Sequence, residues 1–441
     1  MKYQRYPKYK DGGIEWIGEI PEHWDVTRAR WLFREINERS TNGDETLLSV
    51  SEYYGVKPRK DVIDPGDFIT NAASLEGYKK CQKNDLVMNI MLAWKGALGI
   101  TDYDGIVSPS YNVYRPLKPK DAKYFHYLFR TKVYADIFRN NSTGIIDSRL
   151  RLYPDSFASV KVIRPPLEDQ ISICKFLDVQ LRRVEELTLS HEKMIRLLKE
   201  KRQAIITNAV SKGLDPNVPM KDSGVEWIGE IPEHWDTIPI KFIMSCNDET
   251  LPESTHPETK IQYIEISDVS ENQGITSIQE IKFSDAPSRA RRIVKDGDII
   301  ISTVRTYLRA IATIKEPREN TVVSTGFAVL RPRGLSQKFA KYALSANYFI
   351  ERIVSESTGV SYPAISSEKL MNFRIAIPDS KSQNYISDYI DKINGKLSQL
   401  ILKQERMIEL LKEYKTSLIS QAVTGKIDVR GFTLPTTSSD A

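Results

Sequence analysis

The sequence predicts an α+β protein: two globular domains joined by two long helices that form an antiparallel coiled coil, a tandem repeat with a pseudo-twofold axis. Three observations carry this reading. The eleven residues Glu-Trp-Ile-Gly-Glu-Ile-Pro-Glu-His-Trp-Asp occupy positions 15–25 and recur unchanged at 226–236, 211 positions later. That period is too long for a solenoid repeat and long enough for a domain with its own core. Each copy leads into an irregular β-rich stretch, and each stretch ends in a long proline-free run with apolar residues at helical spacing.

Residues 1–13 are polar and read as a tail, and the tag, interrupted by Pro21 and Pro232, reads as a short strand and turn. From 26 to 166 short apolar runs at 47–50, 85–88 and 111–114 alternate with Gly, Pro, Asn and Asp, as β-strands do. One helical stretch near 121–139 offers Tyr124, Leu128, Val133, Ile137 and Phe138 for a buried face. Along 167–212, Val184, Leu187, Met194, Leu198 and Ile205 keep a three-four spacing, with His191 and Lys201 as polar breaks. A helix of that length is a rod of roughly 65 Å. A Gly/Pro-containing linker at 213–223 opens the second copy. There, β-rich runs at 262–266 and 298–301 and a helical stretch at 336–354 precede a second long helix. Its seam is Leu397, Leu400, Gln404, Met407, Leu411, Tyr414 and Leu418. The expected domains are 1–166, the helix 167–212, the linker and second domain 213–379, the helix 380–425, and a tail 426–441.

The two copies have diverged unequally. With an offset of 213 the helices align closely: Gln170, Ile173 and Asp178 fall on Gln383, Ile386 and Asp391, and Ala209-Val210 on Ala422-Val423. The β-rich parts agree only at punctuation: Asp85 with Asp298, Arg115-Pro116 with Arg331-Pro332, Ser142-Thr143-Gly144 with Ser357-Thr358-Gly359. Two helices with matching apolar stripes are satisfied by packing on each other. Antiparallel pairing then brings the N-terminal and C-terminal tails together in place of the central linker.

Charged residues make up 27% and hydrophobic ones 40%, ordinary for a folded protein, and the net charge is +5. Cys81, Cys174 and Cys246 are widely spaced, which argues against a disulfide framework or zinc knuckle. No run resembles a signal peptide or a membrane span, so a cytoplasmic location and no membrane partner are expected. No phosphate loop, Gly-x-Gly-x-x-Gly or His-Glu-x-x-His is present, and the only Pro-Pro, Pro165-Pro166, is not the Asn/Asp-Pro-Pro-aromatic loop of an adenine methyltransferase. His23 and His234, inside the apolar tag beside Trp24 and Trp235, read as structural.

Two different heads on matched rods suit a ligand with two separate features at fixed spacing, such as duplex DNA, whose groove recurs about every 34 Å. The heads carry basic loops able to neutralise phosphate: Lys79, Lys80 and Lys83; Arg149 and Arg151; Arg289, Arg291 and Arg292; Arg305 and Arg309 beside Tyr307. The repeated tag, the Pro165-Pro166-Leu167 turn with Gln170, and the Ala-Val helix ends before a glycine together resemble the specificity (S) subunits of type I restriction–modification systems along the whole chain. The second copy departs at Pro378-Asp379-Ser380 but keeps Gln383.

The resemblance implies a non-catalytic, sequence-specific DNA-binding subunit. Each target recognition domain would read one half of an asymmetric bipartite site in double-stranded DNA, and the coiled coil would set the spacer. Two methyltransferase (M) and two restriction (R) subunits would assemble on it. It would bind no cofactor or metal itself, leaving S-adenosylmethionine, ATP and Mg to the partners. On the strand-to-loop edges of the heads, the residues expected to meet DNA are Ser51, Tyr53, Tyr54, Asn89, Lys95, Ser110, Tyr111 and Arg149 in the first. In the second they are Asp268, Ser302, Thr303, Arg305, Thr325, Ser361 and Tyr362. The alternative is a coiled-coil protein–protein adaptor with two binding heads.

Overall fold

The computed structural model of the chain describes residues 3–63, 74–118, 122–270, 274–359 and 362–433. It divides into two compact units, one of residues 1–191 and 406–441, the other of 192–405. Two long helices, Leu167–Lys212 and Ser380–Val423, each contribute residues to both units.

In the first unit an antiparallel sheet takes the order Phe33–Ile36, Tyr111–Pro116, Leu86–Asn89, Leu98–Ile100. Leu86–Asn89 is buried at every position, which is why it reads as a continuous apolar run. Helices Ala122–Phe129 and Lys132–Asn140 add a core in which Phe33, Phe125, Phe129 and Phe157 meet ring to ring. The sequence suggested one helical stretch here. Thr131 divides it, because its hydroxyl accepts from the Tyr134 amide and starts a new helix. A separate cluster containing Ile36, Val50, Val87 and Val113 is completed by two small ribbons, Leu48–Ser51 with Gly55–Pro58 and Lys79–Cys81 with Gly105–Val107.

The second unit repeats the sheet in the same order: Met244–Cys246, Phe327–Pro332, Ile299–Ser302, Ile311–Thr313. Its helix pair is Gln337–Leu344 and Asn347–Ser355. What differs is the remaining β-structure, here a four-stranded sheet in which Lys260–Ile264 and Thr321–Ser324 run parallel. The four-stranded sheet, the helix pair and the tag hairpin are therefore common to both heads, while the remaining β-structure has diverged most.

The matched punctuation has a physical cause. Arg115 grips the buried Asp85 with two hydrogen bonds of 3.0 Å, and Arg331 grips the buried Asp298 with two of 2.8 Å. Each pair ties two adjacent strands of the common sheet. Gln170 donates to the Pro165 carbonyl and Gln383 to that of Pro378, both at 2.9 Å. Asp379 restores the departed second turn by accepting from the amides of Lys381 and Ser382. Asp178 accepts from Tyr127 and Lys123, and Asp391 from Tyr342, with Lys338 ion-paired to it.

Each tag closes a hairpin, Tyr9–Asp11 with Glu19–Pro21 and Met220–Asp222 with Glu230–Pro232. Trp24 is fully buried, and its indole and the His23 ring both hydrogen-bond one Asp169 oxygen. Ser382 stands where the second copy would need that aspartate, and the Trp235 indole donates to His234 instead. In the first unit the tag lies on the far end of the second long helix. Lys426 donates to the carbonyls of Ile17 and Glu19, and a Cβ on Gly425 would stand 2.4 Å from Pro21. The Asp428 amide donates to Gln4 at 2.8 Å, so the two ends of the chain meet.

The helices run antiparallel. In the first unit Ile173 and Leu177, early in one, share a core with Leu418 and Ala422, late in the other; in the second, Ile206 and Val210 share one with Ile386 and Ile390. The seam differs from the expected one at five of its twelve positions, the exposed Tyr414 among them. Val184, Leu198, Ile205, Leu397, Leu411 and Leu418 are buried or half-buried, whereas Leu187, Met194, Leu400 and Met407 are exposed. The shielded alternates lie one residue later, at Thr188, Ile195, Arg202, Ile401 and Ile408. Hydropathy misled because Thr188 and Arg202 are polar. Each finds a partner, Thr188 in the Val184 carbonyl and Arg202 in Ser398.

Candidate nucleic-acid interface

Each head cross-links the same two loops. In the first, the hairpin turn 90–97 follows Leu86–Asn89, and the loop 141–152 follows the helix Lys132–Asn140. The Leu152 amide donates to the Ile90 carbonyl at 3.0 Å, and Thr143 pairs with Arg151. In the second head, loops 303–310 and 356–366 are joined by Arg305 to Pro363 and Ile365 to Thr303 backbone bonds. The Thr306 and Ser357 hydroxyls lie 2.9 Å apart across the same junction.

The side chains on these loops differ between heads. In the first, Lys95 and Arg139 both approach the Trp94 ring, at 5.1 and 5.0 Å from its centroid. On the loop 141–152, Ile145 is 99% exposed, an unusual position for an isoleucine, and Arg149 is exposed too. A third turn joins them. Arg130 is half-buried and donates to the carbonyls of Ser51, Glu52 and Tyr53 and also to Gly96 and Leu98, which fixes the turn holding Tyr53, itself 85% exposed, beside the hairpin.

In the second head Arg305 lies over the Tyr362 ring at 4.7 Å, with Tyr307 exposed nearby. Arg305 and Arg309 both have positive φ, 52° and 51°. Non-glycine residues enter that region at a cost of about 1 kcal/mol or more. The first head places Gly96, φ 87°, where the second has Arg309. Arg309 is anchored to Asn347 and Glu351.

The expected contact residues divide sharply. Tyr53, Lys95, Ser110, Arg149, Arg305, Thr325 and Tyr362 are exposed, and Ser51, Tyr54 and Tyr111 are half-buried. Asn89, Asp268, Ser302 and Thr303 are corrected to structural roles, because all four are buried with their polar atoms engaged. Asn89 accepts from the Met91 amide, Asp268 from the Glu265 amide, and Ser302 and Thr303 donate to the carbonyls of Val304 and Gly326. Ser361 lies outside the described residues. Among the basic groups, Lys79 is buried against Asn112 and the half-buried Arg292 bonds Asn247, so these two serve the fold, while Lys80 and Arg289 pair at the surface with Glu45 and Glu265.

Sequence reasoning missed Trp94, Arg139 and Ile145. For Ile145 the signal was the matched Ser-Thr-Gly immediately before it, since residues just beyond a shared tripeptide in diverged heads mark a loop held in place and free to vary; Trp94 and Arg139 carry no such mark. Among the described residues no group of three or more His, Cys, Asp or Glu is gathered to hold a metal ion, and no helix is long and apolar enough to cross a membrane.

Residues 232–410 match the family Methylase_S, the type I restriction modification DNA specificity domain. Along nearly its whole length the chain is similar to the specificity subunit of the type I restriction enzyme MjaVIII of Methanocaldococcus jannaschii, 22% identical over 94% of this chain and 95% of that one. It has the fold of a chain from a solved type I R-M system, with a TM-score of 0.65 at 17% identity, covering 92% of this chain and 98% of that one. The HsdS subunit of Thermoanaerobacter tengcongensis is also similar, with a TM-score of 0.50 at 18% identity over 92% and 98% of the chains. The resemblance to type I specificity subunits thus extends over both halves.

Proposed function

We infer that this chain reads DNA sequence for a cytoplasmic type I restriction–modification assembly, each head recognising one half of a bipartite site and the paired helices setting the unread spacer. One observation carries the reading. Both heads cross-link the same two loops to the same sheet, yet expose Lys95, Ile145 and Arg149 beside a half-buried Trp94 in one and Arg305, Tyr307 and Tyr362 in the other. A common frame with different exposed side chains suits two different half-sites. Arginine and lysine neutralise phosphates and form hydrogen bonds with base edges, while exposed aromatic and apolar groups pack on sugars and thymine methyls.

The chain itself carries no catalytic constellation in this reading. Methyl transfer to adenine and ATP-driven cleavage belong to M and R subunits, two of each, which would bring S-adenosylmethionine, ATP and Mg. Residues 26–160 should act as a module. Replacing them with the corresponding segment of another specificity subunit should change one half of the methylated motif and leave the other half intact, read by methylome sequencing of cells supplying the partner subunits. A change in both halves would refute the modular reading. Against the adaptor alternative, the purified chain should be retained on immobilised duplex DNA at low salt and released as salt rises.

A further inference from the structure

The second unit contains a cleft that the candidate interface leaves unused. About 290 Å³ in volume, it is lined by Lys199, Arg202, Arg309, Lys341, Asn394 and Ser398 among others. Two bonds hold its walls together: Gln203 donates to the Ser345 carbonyl at 2.6 Å, and the Asn347 amide to the Thr207 hydroxyl at 2.9 Å. Four lining residues are cationic and none is a carboxylate.

The charges in this cleft are poorly compensated from within. Arg202 occupies a seam slot where the heptad spacing calls for an apolar side chain. One of its terminal nitrogens donates to Ser398 at 2.7 Å, but its Nε is buried with no partner, as is Oδ1 of Asn394. Arg309 is shared with Glu351. Lys341 lies against the Tyr342 ring, and the carboxylate near it, Asp391, already serves the Tyr342 hydroxyl and Lys338. Burial, with Lys315 adding to it, pushes the Lys341 ammonium below its ordinary range. Desolvating cations without a counter-charge costs a fold stability that a bound anion would return.

The first unit supplies the contrast. Where the helix Gln337–Leu344 has Lys341, the helix Ala122–Phe129 has His126, packed towards Gly55 and Gly99 and lowered to a pKa of about 4 by burial, then by Arg130. Arg130 itself is used up on five backbone carbonyls. Lys412 and Lys415 stand where Lys199 and Arg202 do, so the two units differ at Lys341 and Arg309, whose counterparts are His126 and Gly96.

We propose that this cleft is a phosphate site, one per chain, in which Lys341, Arg202 and Lys199 hold a phosphate group of a duplex backbone or of a free polyphosphate. Three cations around one pocket suit the multiple charge of a free polyphosphate, or the closely spaced single charges of successive phosphodiesters along a duplex, better than one isolated carboxylate. The duplex source rests on the DNA-reading proposal; the free source does not.

Two titrations of the full chain separate them. In the first, pyrophosphate is added and followed by calorimetry. In the second, a mixed-sequence duplex of about forty base pairs is followed by fluorescence anisotropy across a salt series. Lys341→Gln should weaken the responding ligand about tenfold, with Lys341→Arg close to wild type; on the duplex it should also reduce the salt slope by about one. Arg202→Met, which keeps the seam packed, should act in the same direction. A response with pyrophosphate, at one per chain, assigns a free anion, and a response with the duplex alone assigns the backbone. If Lys341→Gln and Arg202→Met leave both titrations unchanged while unfolding at the wild-type midpoint, the site does not exist. If the wild-type chain binds no duplex at all, the DNA-reading proposal fails and the pyrophosphate titration still decides the cleft.

Discussion

At position 126 a histidine is kept neutral by its surroundings. Burial, with the Arg130 guanidinium beside it, lowers the pKa of His126 from 6.5 to about 4. The folded state therefore disfavours the proton that the unfolded chain accepts. The stability this provides is complete above about pH 6.5 and is lost as pH falls towards 4, amounting to about 3 kcal/mol over that window. Replacing His126 by Gln should reduce the acid sensitivity of the first unit by that order, measured as the change in urea midpoint between about pH 7 and about pH 4.5. The two Arg–Asp grips make a second residue-scale prediction. Asp298→Asn removes the charge on a fully buried carboxylate and leaves Arg331 without its main partner, which should cost about 3 kcal/mol. Thermal unfolding of the second unit checks it, with Asp85→Asn acting alike in the first.

At the scale of elements, the duplication served as an internal alignment, and what it matched proved structural. Gln170 and Gln383, Asp178 and Asp391, and the Asp–Arg grips were all visible as shared letters between diverged segments. The seam was half legible. Every seventh position, such as Leu397, Leu411 and Leu418, was found, but the alternates were assigned to Leu400 and Met407 in place of Ile401 and Ile408. Hydropathy cannot separate adjacent apolar residues. That decision belongs to the partner helix and to polar pairs such as Arg202 with Ser398. The same blindness affected the heads, where Asn89, Ser302 and Thr303 look like loop ligands in sequence but are consumed by nearby backbone groups. The corrected register is testable with neighbours in one helix. Ile401→Ala should destabilise by about 2–4 kcal/mol, whereas Leu400→Ala, losing an exposed side chain, should stay within about 0.5 kcal/mol.

At the scale of the whole chain, an antiparallel helix pair gives a specific expectation for a ruler. Inserting residues into one helix alone shifts its seam against the other, and four residues disturb a heptad pattern locally. Such a change confuses length with damage. Seven residues inserted into each helix, one heptad after His191 and one after Met407, keep both seams continuous and add about 10 Å of rod. If the paired helices set the spacer, that length corresponds to about three base pairs of duplex. The methylated motif should then keep both half-sites unchanged while the unspecified gap between them grows by about three positions, read by methylome sequencing in cells supplying the partner subunits. A seven-residue insertion in only one helix should lower stability and yield no new, well-defined spacing. An unaltered gap in the doubly extended chain, with both half-sites still methylated, would mean that the spacing is imposed by the partner subunits and that the matched helices serve assembly alone.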